Sequence, residues 1–217
     1  TLAEDLRSRG FGAEIILDGM ALELKGTGVL RDVTQESGLF SVQDVSSMEM
    51  IRALNPQPGE TVLDVCAAPG GKSLAAAEWM ENRGRVISCD VYDHKLKLIE
   101  KAAERLGVTI LETQKNDGTV RNENFVEIAD KVIVDAPCSG LGVVRRKPEI
   151  KLRIKRKDME KMAEVQLKIL ENSAGYLREN GTLIYSTCTV SDIENRGVID
   201  RFLKKNKNFS IVLEKQL

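Results

Sequence analysis

Thr61-Val62-Leu63-Asp64-Val65-Cys66-Ala67-Ala68-Pro69-Gly70-Gly71-Lys72-Ser73 reads as a strand that runs through a glycine turn into a helix. Thr61 to Val65 is a short aliphatic run of the kind buried in parallel sheets, and Lys72 to Met80 carries apolar residues at helical spacing. Between them, small residues and glycines let the backbone approach a ligand closely, while the start of the helix offers unpaired N–H groups. A strand, a tight turn and a helix in that order open a βαβ unit.

The same rhythm continues downstream. We read strands at Arg85 to Cys89 and Thr109 to Glu112, separated by a helix from His94 to Leu106. A buried strand at Lys131 to Val134, a long helix near Asp158 to Leu177, a strand at Thr182 to Tyr185, a helix from Ile193 to Lys204 and a last strand at Phe209 to Leu213 follow. Alternating strands and helices imply right-handed crossovers and an α/β, Rossmann-like, doubly wound parallel sheet with helices on both faces. Upstream the text differs. Helical spacing at Leu2 and Leu6, two short strands at Glu14 to Leu17 and Ala21 to Leu24, and a break at Gly26-Thr27-Gly28 suggest a small α+β remnant over residues 1–40, with the main domain over 41–217.

Composition is that of an ordinary globular protein: 217 residues, 42% hydrophobic, 30% charged, with a formal net charge of −1. No stretch reaches the roughly 18 apolar residues of a membrane helix and no signal peptide opens the chain, so a cytoplasmic protein without a membrane partner is expected. The beginning at Thr1 and the end just after Leu213 suggest a fragment, truncated at the C-terminus. The four cysteines, Cys66, Cys89, Cys138 and Cys188, form no Cys-x-x-Cys pair, so free thiols are expected and no metal. The near-neutral balance argues against a globally basic nucleic-acid coat but leaves room for a local one.

The glycine turn fails two phosphate-binding patterns. Gly71-Lys72-Ser73 matches the end of a P-loop, but Cys66 stands where its first glycine belongs, and no G-x-G-x-x-G can be written here. Asp90 ends the next strand, where an acid normally accepts from ribose hydroxyls, and Asp117 in Asn116-Asp117-Gly118 follows the third. A nucleoside without a pyrophosphate fits this arrangement best. Each acid has a plainer alternative, since Asp90 also suits a helix cap and Asp117 an Asx turn. Cys66 and Cys89 read as packing residues, and the single histidine, His94, as a surface or capping residue.

Two further segments follow strands and end in thiols: Asp135-Ala136-Pro137-Cys138-Ser139-Gly140 and Ser186-Thr187-Cys188-Thr189. If their strands lie side by side, both thiols emerge on the carboxyl edge of the sheet, where open α/β folds bind ligands. Between them lies a basic run, Arg145, Arg146, Lys147, Lys151, Arg153, Lys155, Arg156 and Lys157. Alone it reads as a solvated helix face. Beside the Cys138 loop it is also placed to anchor a phosphate backbone.

These motifs, together with Phe40-Ser41-Val42-Gln43-Asp44, resemble the Sun/Fmu family of RNA cytosine-5 methyltransferases in kind and order from about residue 38 to the end. The stretch Gly142 to Ile150 is most similar to the bacterial-type enzyme of the small ribosomal subunit. The resemblance implies a class I methyltransferase domain over 41–217 and S-adenosyl-L-methionine held by Cys66, Ala67, Ala68, Pro69, Gly70, Gly71 and Lys72, with Asp90, Asp117 and Asp135. It implies that Cys188 is the nucleophile at carbon 6 of cytosine, that Cys138 assists product release and that Asp135 contacts the base. Pro137-Cys138 competes for the nucleophile's role, because DNA cytosine methyltransferases attack from a Pro-Cys motif. The implied partner is RNA, 16S ribosomal RNA first, bound in part by Arg145, Arg146, Lys147 and Lys151, and a monomer is expected. The family commonly carries an N-terminal helical RNA-binding domain, and residues 1–40 look like the end of its smaller α+β subdomain. Two other readings stand beside it: a cytosine-5 methyltransferase acting on tRNA, and a noncatalytic RNA-binding ribosome-assembly factor that keeps the fold. An amino-nitrogen methyltransferase is disfavoured, because Asp135-Ala136-Pro137-Cys138 puts a thiol where such enzymes place an aromatic clamp.

Overall fold

In the computed structural model, which describes residues 2–25, 38, 40–144 and 148–216, the expected rhythm closes into one parallel sheet. Helix α1 (Leu2–Ser8) precedes an antiparallel hairpin of β1 (Gly12–Ile16) and β2 (Ala21–Lys25). Leu6 and Ala13 form a small core there with Phe11, Leu22, Leu24 and Phe40 around them. Helix α2 (Val45–Leu54) then leads to β3 (Thr61–Asp64), α3 (Gly71–Trp79), β4 (Arg85–Asp90), α4 (Asp93–Leu106) and β5 (Leu111–Lys115). The second half runs β6 (Ala129–Asp135), a short helix α5 (Ile150–Arg153), the long α6 (Arg156–Ala174), β7 (Leu177–Ser186) and α7 (Arg196–Lys205). The five strands order as β5-β4-β3-β6-β7, every neighbouring pair parallel. Chain reversal at β3 sets β3 and β6 side by side, and their carboxyl ends mark the topological switch where such sheets hold ligands.

Strand alternation decides which helix covers which face. Val62, Val86 and Ile133 pack with Met48, Ile51 and Leu54 of α2 and Ala75 to Ala77 of α3. Leu63, Ile87, Val132 and Val134 pack on the other face with Ala163, Leu167 and Leu170 of α6 and Val198 and Phe202 of α7. Each such aliphatic side chain contributes about 2 kcal/mol by leaving water. Among the described residues, no helix is long and apolar enough to cross a membrane.

Some elements depart from the sequence reading. The helix α2 was not anticipated, although Asp44 stands at its N-cap and Asn55, in the left-handed region with φ of 47°, donates its N–H to the Ile51 carbonyl at 2.9 Å. The expected strand at Phe209 to Leu213 does not form. Phe209 instead meets Phe202 edge-on at 5.3 Å, and Val212 is 85% exposed, so the run packs through Phe209 on α7 rather than along the edge of β7. The segment is tethered by charge, Glu214 to Arg196 at 2.7 Å and Lys215 to Glu49 at 3.2 Å. Within β7, Asn180 at φ of 62° and a register shift against β6 make a bulge ahead of the paired run Thr182 to Ser186.

Candidate active site

Asp64 closes β3 and is fully buried, its Oδ2 accepting from Ser73 Oγ at 2.7 Å. Burial pushes its carboxyl from 3.8 up to about 7. The turn beyond it, Val65 to Gly70, needs a glycine at its end: Gly70 has φ of 101°, and a Cβ there would sit 2.9 Å from Ile99 Cγ1. Gln43 lies across the first residue of α3, donating from Nε2 to the Gly71 carbonyl at 2.9 Å, while its Oε1 is buried without a partner among the described residues.

Asp90 ends β4, largely buried, accepting from the Tyr92 N–H at 3.0 Å and lying 3.5 Å from Lys95 Nζ. The next strand end brings Asn116 beside it, through a backbone bond from Asn116 N–H to the Asp90 carbonyl of 3.2 Å. Asn116 is buried, and its Nδ2 has no partner among the described residues. Asp117 is exposed and makes an Asx turn, accepting from the Thr119 N–H at 2.9 Å and Thr119 Oγ1 at 2.7 Å. The plainer reading of Asp117 is therefore realised, and Asn116, which the sequence reading passed over, is the buried polar group at that strand end. Asp64, Asp90, Asp117 and Asp135 all add to the burial that pushes the Cys66 thiol up to about 12. An acidic wall with unpartnered buried amide and carboxylate atoms suits a ligand that brings hydroxyls and positive charge, and ill suits a pyrophosphate.

At the opposite wall, Asp135 is held at both oxygens. Lys72 Nζ from α3 meets Oδ2 at 2.6 Å, and Ser186 Oγ from the paired strand end of β7 donates to Oδ1 at 2.7 Å. Lys72 thus ties the glycine turn to Asp135 rather than projecting into open space.

The strands that lead to the two thiols are neighbours, with Asp135 opposite Ser186, so the condition set by the sequence is met. Cys138 and Cys188 are free cysteines whose Sγ atoms lie 2.8 Å apart, and the Cys188 N–H points at Cys138 Sγ at 3.2 Å. The loops are further joined by a Gly142 N–H to Cys188 carbonyl bond of 3.0 Å, and a Cβ on Gly142 would lie 2.9 Å from that oxygen. The hydrogen bond to Cys188, then burial, keeps the proton on Cys138. The same bond brings the Cys188 thiol from 9.0 down to about 7 against its own burial, with Lys72 adding a smaller pull. Cys188 is the more exposed of the two, and the hydrogen bond from Cys138 favours its thiolate. Burial pushes the Cys89 thiol well up, and it is a packing residue within the sheet core.

Behind the thiols is a polar cluster that the sequence reading missed. Glu194 is fully buried and accepts from the Ser139 N–H at 2.8 Å, from Ser139 Oγ and from Gln166 Nε2 at 3.1 Å. Gln166 also donates to the Pro137 carbonyl at 2.8 Å, and Ser139 Oγ lies 2.9 Å from Thr189 Oγ1. Nothing local marks Glu194, because an acid at the expected start of a helix from Ile193 reads as a favourable first-turn charge. The helix begins at Arg196 instead, which turns Glu194 inward.

Of the basic run, Arg145, Arg146 and Lys147 lie outside the described residues, as does the side chain of Lys151, whose backbone belongs to α5. The neighbouring Ile150 is placed beside the thiol loops, since a Cβ on Gly140 would be 3.1 Å from Ile150 Cδ1 and 4.0 Å from Cys188 Sγ. Arg156 is engaged with Glu160 at 3.0 Å on the exposed surface. His94 is exposed in the first turn of α4, 5.6 Å from the Tyr92 ring.

Comparison with known proteins gives the family and the fold. The family model described as 16S rRNA methyltransferase RsmB/F matches residues 51–216. A Bacillus subtilis (strain 168) protein named probable ribosomal RNA small subunit methyltransferase B is 49% identical over 185 residues, covering 84% of this chain and 41% of that protein. A Synechocystis protein of the same name is 36% identical over 173 residues, covering 79% of this chain and 39% of its own length. The chain thus spans about two fifths of the curated relatives it matches. Among solved structures, NSun6 from Pyrococcus horikoshii with SFG superposes with a TM-score of 0.74 at 31% identity, covering 86% of this chain and 49% of that one. A methyltransferase homolog protein from Pyrococcus horikoshii gives 0.80 at 31% identity, covering 94% and 65% respectively.

Proposed function

This chain belongs to the RsmB/F family of 16S rRNA methyltransferases, and we propose that it methylates carbon 5 of cytosine in RNA, with 16S ribosomal RNA as substrate, through a covalent bond from Cys188 to carbon 6. The cofactor is S-adenosyl-L-methionine, which when bound supplies an electrophilic methyl group. Cys66 to Lys72, Asp90, Asn116, Asp117 and Asp135 are the residues that would hold it. In this reading residues 41–217 are the methyltransferase domain and residues 1–40 the end of a preceding subdomain.

The observation that carries the reading is the thiol pair, 2.8 Å apart, with Cys188 drawn down to about 7. Carbon 5 of cytosine is a poor nucleophile until a nucleophile adds at carbon 6 and makes the ring enamine-like. A thiolate suits that step because it attacks readily and leaves again. Asp135, whose oxygens already accept from Lys72 and Ser186, accepts from the exocyclic amine of the base and so holds the ring in place for attack. Water takes the carbon 5 proton, the ring double bond re-forms, and Cys188 departs as a thiolate beside Cys138, 2.8 Å away, whose S–H assists release by hydrogen-bonding the departing sulfur. Attack at carbon 6 is blocked within a base stack, so the cytosine must be splayed out, with Arg145, Arg146, Lys147 and Lys151 on neighbouring phosphates.

Incubation of the full-length protein with S-adenosyl-L-methionine and unmodified 16S ribosomal RNA tests this, with 5-methylcytosine read by mass spectrometry. We expect product with the parent, none with Cys188→Ala, and none but a stalled protein–RNA adduct with Cys138→Ala. The reverse pattern would move the nucleophile to Cys138. Product in tRNA alone would change the substrate, and RNA binding without any product would favour the noncatalytic assembly factor.

A further inference from the structure

Glu194 is a carboxylate with no accessible surface, and among the described residues it forms no ion pair. Burying such a group is costly unless several donors converge on it. Here they do, and they come from separate elements: the Ser139 N–H and Oγ from the turn after Cys138, and Gln166 Nε2 from α6. The backbone carbonyl of Glu194 accepts from Tyr185 OH at 2.7 Å, on the strand that leads to Cys188. Ser139 Oγ in turn reaches Thr189 Oγ1, the residue after Cys188, at 2.9 Å. Asn195, the next residue, takes up the other side of the Cys188 loop, with Oδ1 accepting from Thr187 Oγ1 at 2.6 Å and Nδ2 donating to the Thr189 carbonyl at 2.9 Å. One short segment therefore grips the loops on both sides of the thiol pair.

We infer that Glu194 is a positioning residue: it clamps the Cys138 turn to the Cys188 loop and so aims the Cys138 S–H at Cys188 Sγ. The inference rests on the reading in which Cys188 is the attacking sulfur. Glu194 touches neither sulfur. It acts on Cys188 by fixing Ser139, and hence Cys138, with the two sulfurs within hydrogen-bond distance at 2.8 Å. A hydrophobic residue of similar size would fill the space but leave the Ser139 and Gln166 donors unpaired, with nothing to hold the Cys138 turn in place. A glutamine would keep the clamp, since its carbonyl meets the Ser139 N–H and Gln166 while its amide donates to Ser139 Oγ, which then donates to Thr189.

The test reads the thiol itself, without RNA or cofactor. Alkylation of Cys188 by iodoacetamide is followed across pH by mass spectrometry of its peptide, with the fold of every variant checked by circular dichroism. Glu194→Ala should slow alkylation at pH 7 roughly tenfold, as expected if the thiol returns toward an ordinary pKa near 8.5. Glu194→Gln should stay within about twofold of the parent, because the hydrogen-bond geometry is kept. In a Cys138→Ala background, Glu194→Ala should add no further slowing, since the partner it positions is gone. An unchanged rate in a folded Glu194→Ala protein, or an equal slowing in both backgrounds, overturns the inference. Should Glu194→Ala not fold, Glu194→Asp, which withdraws the carboxylate by one methylene, must slow alkylation and spare it in the Cys138→Ala background, and an unchanged rate overturns the inference there too. A parent that alkylates as expected yet makes no 5-methylcytosine would overturn the function reading while leaving the clamp intact.

Discussion

Asp64→Asn should stabilise the protein at pH 8 while changing little at pH 4. The carboxyl is fully buried at the end of β3; one oxygen accepts from Ser73 and the other has no partner among the described residues. Burial, opposed by the Ser73 bond and reinforced by nearby Asp135, raises it from 3.8 to about 7. A raised carboxyl pKa means that the folded protein holds the proton more tightly than the unfolded chain. Below the unfolded value of 3.8 both states are protonated and nothing is lost; between there and about 7 the unfolded chain ionises first, so stability falls as pH rises, and above about 7 the loss is complete. That interval, at about 1.4 kcal/mol per pH unit, corresponds to a loss of about 4 kcal/mol. Asparagine keeps an oxygen for Ser73 and carries no charge to desolvate. Urea unfolding of parent and variant at pH 4, 6 and 8 measures the gap directly. It should widen steadily toward pH 8. A gap independent of pH would refute the argument that Asp64 resists ionisation in the fold.

Two further perturbations probe the turn and the basic run. Gly70→Ala combines a strained φ of 101° with a 2.9 Å approach to Ile99, whereas Gly59→Ala meets a φ of 94° with nothing within 4 Å. The first should lose about 1–3 kcal/mol in thermal unfolding and exceed the second, and equal losses would show that the Ile99 contact does not matter. Replacing Arg145, Arg146 and Lys147 together by Ala should reduce the salt dependence of RNA binding, lowering the slope of log K against log salt by roughly 2, and an unchanged slope would exclude phosphate contacts there.

Much of this arrangement could be read before the structure. The strand, glycine turn and helix from Thr61 to Met80 carry their period and their breaks in adjacent residues, so local physics alone names them, and the strand ends at Asp64, Asp90 and Asp135 follow from that rhythm. Placing Cys138 beside Cys188 required one further step, that β6 and β7 pair, which the sequence leaves as a condition and the sheet meets. What stayed hidden depends on non-local partners. The apolar-rich Phe209 to Leu213 run has strand propensity, but Phe209 packs on the Phe202 ring instead of the run pairing with β7, the edge strand of the sheet. Helix α2 has its stop in Asn55-Pro56 and its buried stripe in Met48, Ile51 and Leu54, local signals that name a helix once the stripe has a sheet face to cover. Glu194 is different: its partners lie 55 and 28 residues away, so no spacing rule finds it.

The most direct test of the two-thiol account is to trap the adduct. Cys138→Ala protein is incubated with S-adenosyl-L-methionine and unmodified 16S ribosomal RNA, digested with protease and nuclease, and the cross-linked peptide sequenced by mass spectrometry. The account predicts a methylated cytidine on the peptide that contains Cys188, absent when Cys188 is also replaced. A cytidine carried by any other residue, or no adduct while 5-methylcytosine still forms, would contradict it.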